Sequence, residues 1–345
     1  MQLPDSLAGR LLGWYAAGHR ALPWREDHEP YHVWLSEIML QQTRVEAVKG
    51  YYARFLSELP DIAALAACEE NRLTKLWEGL GYYSRVRNLQ KAARVIICLL
   101  YTSYAAIRAL PGVGDYTAGA VASICFDAPE PAVDGNVLRV LSRVTQDEAP
   151  VTRPAVKKAY EAALRPAYEK NPGKRSELTQ SLMELGACVC VPNGAPKCAA
   201  CPLREICCAG ESGVWSRLPV KEAKKPRRVE EKTVFFLQCG GQYAVRRRPE
   251  TGLLAGLWEL PNVEGTLSAQ QALALLDSWG LVPEELTRTR DRTHIFTHVE
   301  WHMRCYDIRV SAPVGSFTWV SGERFRQDIA LPSAFRIFWQ PEEPA

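Results

Sequence analysis

Four cysteines crowd into the stretch from Cys190 to Cys207. Seven residues separate Cys190 from Cys198, two separate Cys198 from Cys201, and five separate Cys201 from Cys207. Pro192, Pro196 and Pro202 punctuate this loop. Four thiolates so placed can surround one metal centre, either a cubane iron-sulfur cluster or a tetrahedral zinc, and softness does not separate the two because both take four cysteines. Cys188 and Cys208 flank the set as alternative outer ligands. The chain holds 11 cysteines. As disulfides they would suit an oxidising compartment, yet Met1 to Asp5 lacks a basic region followed by an apolar core. The longest apolar run, Val95 to Tyr101, is too short to span a bilayer. These features lead to the expectation of a soluble, cytoplasmic protein with reduced thiols and a bound metal.

At 345 residues, 47% of them hydrophobic, the chain exceeds the size at which one core usually keeps growing, so two domains are expected. Residues 7 to 215 read as helical, with apolar positions at three- and four-residue spacing and short Gly or Pro breaks. A proline-bearing, charged linker follows over 216–231. Within 232–345, Thr233–Leu237, Gln242–Val245, His302–Val310 and Ser316–Val320 read as strands, with a helix over Ala269–Trp279. The expected fold class is therefore multi-domain, an all-α domain followed by an α+β domain. The net charge of +3 is compatible with a polyanionic partner without requiring one.

Inside the helical part, Pro111-Gly112-Val113-Gly114 joins an apolar run ending at Leu110 to a helix from Tyr116 to Cys125. Two glycines free to take positive φ, Gly112 and Gly114, can turn the chain and leave N–H groups pointing outward at a helix start, an arrangement suited to a phosphate oxygen. This reads as a helix-hairpin-helix, although an ordinary tight turn has the same local signature. Asp134 enters the next helix just past the proline-broken segment 129–131, as its N-cap or as a functional carboxylate. Glu37 lies among apolar residues in the helix carrying Trp34 and Ile38. Half-burial there would raise its pKa and make it a general acid, whereas a solvated Glu is the common alternative. Gln41, Gln42 and Thr43 at that helix's end can bond base edges or fill a base stack. Tyr82 and Tyr83 can wedge between bases, or pack in the core, and Arg85 and Arg87 can neutralise phosphate.

Together LPWR (22–25), LSEIMLQQT (35–43), GLGYYSRVRNL (79–89), LPGVGDYTAGA (110–120), VDGNVLRVLSR (133–143), ELGACVC (184–190) and the cysteine loop closely resemble the MutY family of adenine-DNA glycosylases, in the endonuclease III superfamily. The resemblance spans the chain. It implies a helix-hairpin-helix glycosylase domain, a [4Fe-4S] cluster on Cys190, Cys198, Cys201 and Cys207, and a Nudix-like C-terminal domain that recognises 8-oxoguanine. It also implies double-stranded DNA with A opposite 8-oxoguanine or G as the substrate. Glu37 matches the catalytic acid of the family and Asp134 the carboxylate facing the sugar. Tyr116, Asn136, Gln42, Tyr82, Trp24, Arg25 and Gln180 match positions that line the pocket or engage DNA. Phe296-Thr297-His298 matches the Phe-Ser-His loop that contacts 8-oxoguanine, with Thr for Ser.

An adenine in a duplex must be flipped out before it can be attacked. Glycosidase chemistry then asks one carboxyl to protonate the leaving group and another to stabilise the oxocarbenium-like state. Where bifunctional glycosylase-lyases of the superfamily place a lysine this chain has Tyr116, and a phenol forms no Schiff base, so a monofunctional enzyme is expected. Pyrimidine removal is the neighbouring alternative, and the second domain argues against it. Nucleotide pyrophosphatase chemistry needs a dense set of glutamates on a helix. After Glu264 the next acid is Asp277, so that activity is not expected. A non-catalytic DNA-binding role is the alternative outside enzymes. The chain departs from the family in two places. ICLLYTSY (97–104) lacks a Gly-Gly and proline loop, and the gap after Cys190 is one residue longer than the commonest spacing. A monomer clasping DNA is the expected state.

Overall fold

A computed structural model of the chain describes residues 2–96, 103–223 and 226–339. The chain forms two compact units. One comprises Met1–Ala67 and Arg87–Ala223, the other Cys68–Val86 and Lys224–Ala345. The helices before the linker are α1 (Leu7–Ala17), α2 (Pro30–Leu40), α3 (Val45–Glu58), α4 (Ile62–Ala67), α5 (Glu70–Leu76), α6 (Ser84–Ile96), α7 (Tyr104–Arg108), α8 (Asp115–Phe126), α9 (Gly135–Thr145), α10 (Pro154–Glu169), α11 (Arg175–Cys188) and α12 (Cys208–Glu211). No strand occurs among the described residues of the first unit. The apolar spacing explains their assembly. Val137, Val140, Leu141 and Val144 of α9 meet Leu178, Leu182 and Leu185 of α11, Tyr160 and Leu164 of α10, and Leu7 and Leu11 of α1 in one core. A Cβ at Gly119 would stand 2.6 Å from the Pro131 carbonyl oxygen, so only glycine lets α8 meet the segment that leads to Asp134. The unusual stretch 97–104 falls outside the described residues as far as 102. Ser103 caps α7 by accepting from the Ala106 N–H.

The second unit is built on a mixed seven-stranded sheet. Its strands are β1 (Arg228–Cys239), β2 (Gln242–Arg247), β3 (Trp258–Glu259), β4 (Asn262–Glu264), β5 (Pro283–Ile295), β6 (Val299–Val310) and β7 (Thr318–Ser321). The path runs β3-β2-β1-β6-β5, with β4 on β1 and β7 on β2. β1 and β6 are parallel, from Arg228 beside Val299 to Gln238 beside Arg309. Strand alternation divides the core. Phe235, Leu237, Tyr306 and Ile308 pack on one face with Ala272 and Leu276 of α13 (Ala269–Ser278). Val234, Phe236, Trp301 and Met303 face the other way, toward Phe325 of α14 (Gly322–Asp328) and Phe335 of α15 (Ser333–Arg336).

Two features differ from expectation. β1 begins at Arg228, inside the stretch read as linker, because its charged first residues are carried by pairing with β6. β5, whose polar sequence PEELTRTRDRTHI lacks an apolar alternation, is a strand because it pairs antiparallel with β6 along its length. No helix among the described residues is long and apolar enough to cross a membrane.

Candidate functional site

A cavity of about 570 Å³ opens in the helical unit between α2, the start of α8, the start of α9 and α11. α2 starts on Pro30 and is N-capped by the Glu29 carboxylate. It is buried almost all round, from Tyr31 through Met39 with His32 excepted. The apolar surroundings therefore enclose Glu37, which is only 6% exposed. Burial, reinforced by the charge of Asp134, raises its carboxyl from the ordinary 4.5 to about 7, although a hydrogen bond from Tyr116 pulls the other way. The Tyr116 hydroxyl donates to Glu37 Oε2 at 2.5 Å. Burial and both carboxylates push the Tyr116 phenol well above its usual range.

Asp134 lines the same cavity and also caps α9, so the two readings of this residue coincide. Its Oδ1 accepts from the Val137 N–H at 2.8 Å and its Oδ2 from Asn136 Nδ2 at 2.9 Å. Burial raises its pKa while these bonds oppose the rise. Asn136 is oriented in turn by Arg139, whose guanidinium donates to Asn136 Oδ1 and to the Gly186 carbonyl, both at 2.8 Å, and to the Cys190 carbonyl at 2.8 Å. A Cβ at Gly186 would lie 2.6 Å from Asn136 Cβ. Sequence reading singled out neither Arg139 nor Gly186, and a glycine inside a helical pattern was the available signal.

Trp24, Arg25, Gln41, Gln42, Thr43 and Gln180 also line the cavity. The Gln180 amide is fixed at both ends, accepting from the Tyr15 hydroxyl at 3.0 Å and donating to Ser176 Oγ at 3.0 Å. Arg25 donates to Glu184 Oε2 at 2.9 Å, and Arg20 grips the same carboxylate with two bonds of 2.7 and 2.8 Å. Glu184, buried to 2%, was not singled out. Burial alone would raise its pKa, but Arg20 and Arg25 outweigh that and hold it at about 2. Gln42 adopts φ +61°, a left-handed conformation outside any helix, at the turn after α2.

The hairpin between α7 and α8 is present. Gly112 takes φ +75°, and a Cβ there would sit 2.6 Å from Asn88 Cβ. Gly114 does not need the freedom expected of it, since as the N-cap of α8 it has φ −91°. Arg108 braces the turn by donating to the Val113 carbonyl at 3.0 Å and pairing with Asp115 at 2.5 Å.

Tyr82, Arg85, Phe296, Thr297 and His298 belong to the second unit. Tyr82 is 49% exposed with φ +47°, and its hydroxyl meets Thr297 Oγ1 at 2.5 Å. Arg85 donates to the Leu80 and Gly81 carbonyls at 2.8 and 3.2 Å and lies over the Trp77 ring. It therefore braces the Tyr82 turn, and burial lowers its pKa to about 10. Residues 296–298 form the turn from β5 to β6, closed by the Phe296 N–H donating to the Val299 carbonyl at 2.8 Å. The Phe296 ring packs edge-on against Trp301.

Cys190, Cys198, Cys201 and Cys207 are half-buried free thiols lining one cavity of about 100 Å³. Arg143 directs its guanidinium at Cys190 Sγ, 3.2 Å away. Burial, then the neighbouring thiolates, push Cys201 up to about 11, and Cys207 moves the same way. Cys188 donates to Glu184 Oε1 at 3.3 Å and does not line that cavity; nor does Cys208.

Residues 35–166 match the HhH-GPD superfamily of base excision DNA repair proteins, and residues 233–340 match the NUDIX domain. The adenine DNA glycosylase of Mus musculus is 34% identical over 95% of this chain and 77% of its own length. That of Homo sapiens is 32% identical over 97% of this chain and 74% of its own. Among solved structures, a thermostable thymine-DNA glycosylase superposes with a TM-score of 0.53 at 26% identity, covering 60% of this chain and 96% of that one. The buried carboxylates, the hairpin and the thiol loop thus stand in a chain that belongs to the adenine DNA glycosylase family, within the HhH-GPD superfamily.

Proposed function

We propose that this protein is a monofunctional adenine-DNA glycosylase of base excision repair, acting on adenine opposite 8-oxoguanine or guanine in double-stranded DNA. The observation that carries the reading is Glu37, a buried carboxyl raised to about 7 and held by Tyr116 in a cavity shared with Asp134. An acid poised near the working pH is suited to proton donation. The flipped adenine receives the Glu37 proton at N7, its glycosidic bond to C1′ breaks, and the bonding pair leaves with the base. Asp134, held in place by the Val137 and Asn136 donors, stabilises the positive sugar, and water supplies the hydroxyl that replaces the base. Trp24, Arg25 and Gln180 line the base pocket, while Gln41, Gln42 and Thr43 at the rim, together with Tyr82, engage the opened stack. Gly112 and Gly114 present backbone donors to phosphate. Phe296, Thr297 and His298 read the base opposite.

The thiol loop fits a [4Fe-4S] cluster held by Cys190, Cys198, Cys201 and Cys207. Four reduced thiols ring a cavity that Arg143 makes favourable for negative charge. No three His, Cys, Asp or Glu side chains among the described residues are gathered for a single ion. A tetrahedral zinc would need all four sulfurs about 2.3 Å from one point, whereas in a cubane each sulfur takes its own iron. Bound there, the cluster supplies folding energy to the loop carrying Lys197 and Arg204. The protein works as a monomer in the cytoplasm, with residues 1–215 as glycosylase domain, apart from Cys68–Val86, which packs with the recognition domain over 232–345.

The test is an end-labelled duplex with one A opposite 8-oxoguanine, read with and without alkali. Strand breakage only after alkali is expected. Breakage without alkali would overturn the monofunctional assignment, and none under either condition from iron-loaded protein would overturn the adenine reading.

A further inference from the structure

Residues 68–86 lie in the middle of the helical sequence, yet they pack as part of the β-rich unit. The seam between this segment and the C-terminal helices is polar and specific. Lys75 Nζ, on the last turn of α5, donates to the Ile329 carbonyl at 3.2 Å and pairs with Glu78 Oε2 at 2.8 Å. The other oxygen of Glu78 accepts from the Leu331 N–H at 3.1 Å, and Arg336 approaches it at 4.0 Å. Ile329, Ala330 and Leu331 are all buried, and the Glu78 side chain is only 16% exposed. Little water can therefore reach the Leu331 N–H, and removing Glu78 would orphan a buried backbone donor.

The turn that starts at Glu78 runs through left-handed backbone and is bonded at its centre. Gly79 has φ +102°, Gly81 +68° and Tyr82 +47°. The Gly81 carbonyl is clamped by Trp77 Nε1 at 3.1 Å and by Arg85. The bonds on the Gly81 carbonyl couple the Glu78 end of the turn to the Tyr82 ring, and the tyrosine ends on Thr297. Both the exposed tyrosine and the 296–298 turn thus ride on one body, fastened at the far end by Glu78.

We propose that Glu78 is a positioning residue for opposite-base discrimination: by binding the Leu331 N–H and Lys75 it fixes the Tyr82 turn in register with the Thr297 turn. The proposal rests on the adenine glycosylase reading and on those two turns meeting the base opposite adenine. Glu78 does not line the cavity that holds Glu37. Its loss should therefore leave the chemical step intact and blur the reading of the opposite base.

The experiment measures single-turnover base release from duplexes with A opposite 8-oxoguanine and A opposite G, for the iron-loaded full chain and for Glu78→Ala, Glu78→Gln and Lys75→Met. In Glu78→Ala the 8-oxoguanine-to-guanine ratio of kcat/KM should fall about tenfold, the loss of a charge-assisted contact to a buried donor. kcat on the 8-oxoguanine duplex should stay within about twofold of wild type, as a contact remote from the reacting bond allows. Glu78→Gln, which can still accept from Leu331, should keep most of the ratio. Lys75→Met should lose part of it, and it serves as the test if Glu78→Ala does not fold. Equal losses on both duplexes, or an unchanged ratio in Glu78→Ala and Lys75→Met, would overturn the proposal. Wild-type protein that releases no adenine would overturn the underlying reading instead.

Discussion

Replacing Glu37 with Gln should stabilise the helical unit at alkaline pH while abolishing base release. The folded carboxyl holds its proton up to about 7, against an ordinary 4.5. Below about 4.5 the group is neutral in both states and costs nothing. Between about 4.5 and about 7 the unfolded chain ionises while the folded chain does not, so stability falls by about 1.4 kcal/mol per pH unit. Above about 7 the loss is constant, at roughly 3 kcal/mol. A Gln removes the titration, keeps the volume and can still accept from Tyr116. Its stability advantage over wild type should therefore grow by roughly 2 to 3 kcal/mol between about pH 5 and about pH 8.5. Native-state hydrogen exchange read on the α2 amides confines the measurement to the unit carrying Glu37, and each pair is compared at one pH so that intrinsic exchange cancels. A pH-independent gap would mean that Glu37 is ionised in the folded protein at neutral pH, and the acid role would fall with it. Retained base release in Glu37→Gln would end the assignment by a separate route.

Tyr116→Phe removes the hydrogen bond that opposes burial, so the Glu37 pKa should rise further and the alkaline limb of kcat/KM should move to higher pH; a fixed limb would show that Tyr116 does not tune the acid. Gly186→Ala pushes a methyl to 2.6 Å from Asn136 Cβ, and should cost about 1 to 3 kcal/mol in urea unfolding together with a large loss of base release, because Asn136 orients Asp134. Unaltered turnover would detach that helix contact from the carboxylate. Gly112→Ala combines a left-handed backbone with a Cβ 2.6 Å from Asn88, and should weaken duplex affinity at low salt more than it lowers kcat, as measured by fluorescence anisotropy beside single-turnover rates.

Local chemistry made the hairpin legible, because a Pro-Gly-x-Gly turn declares its own geometry. It overstated Gly114, since an N-cap needs no positive φ and any short polar residue serves there. The cysteine loop was legible for the same local reason. Glu37 could be named, but its burial could not be read from spacing, because α2 is enclosed on all sides and shows no polar stripe. Glu184 escaped notice for a related reason: a carboxylate between two arginines far away in sequence looks like any helix glutamate. β5 was missed because its strand state comes from β6 and not from its own residues. The attachment of residues 68–86 depends on partners around 329–336, and nothing in the local sequence advertises such distant neighbours.

That attachment bears on how the protein is made. Glu78 and its backbone partner Leu331 are separated by 253 positions, so on the ribosome α5 and the Tyr82 turn are synthesised long before the groups that anchor them. Ordering by such remote partners is slow, since the chain must close a very long loop first. During that interval Lys75 and Glu78 lack the Ile329 carbonyl and the Leu331 N–H that they bind in the finished protein. The nascent helical half thus carries a segment whose fastening arrives last, and a stretch still waiting for its partners is one that chaperones and proteases can engage while translation is under way.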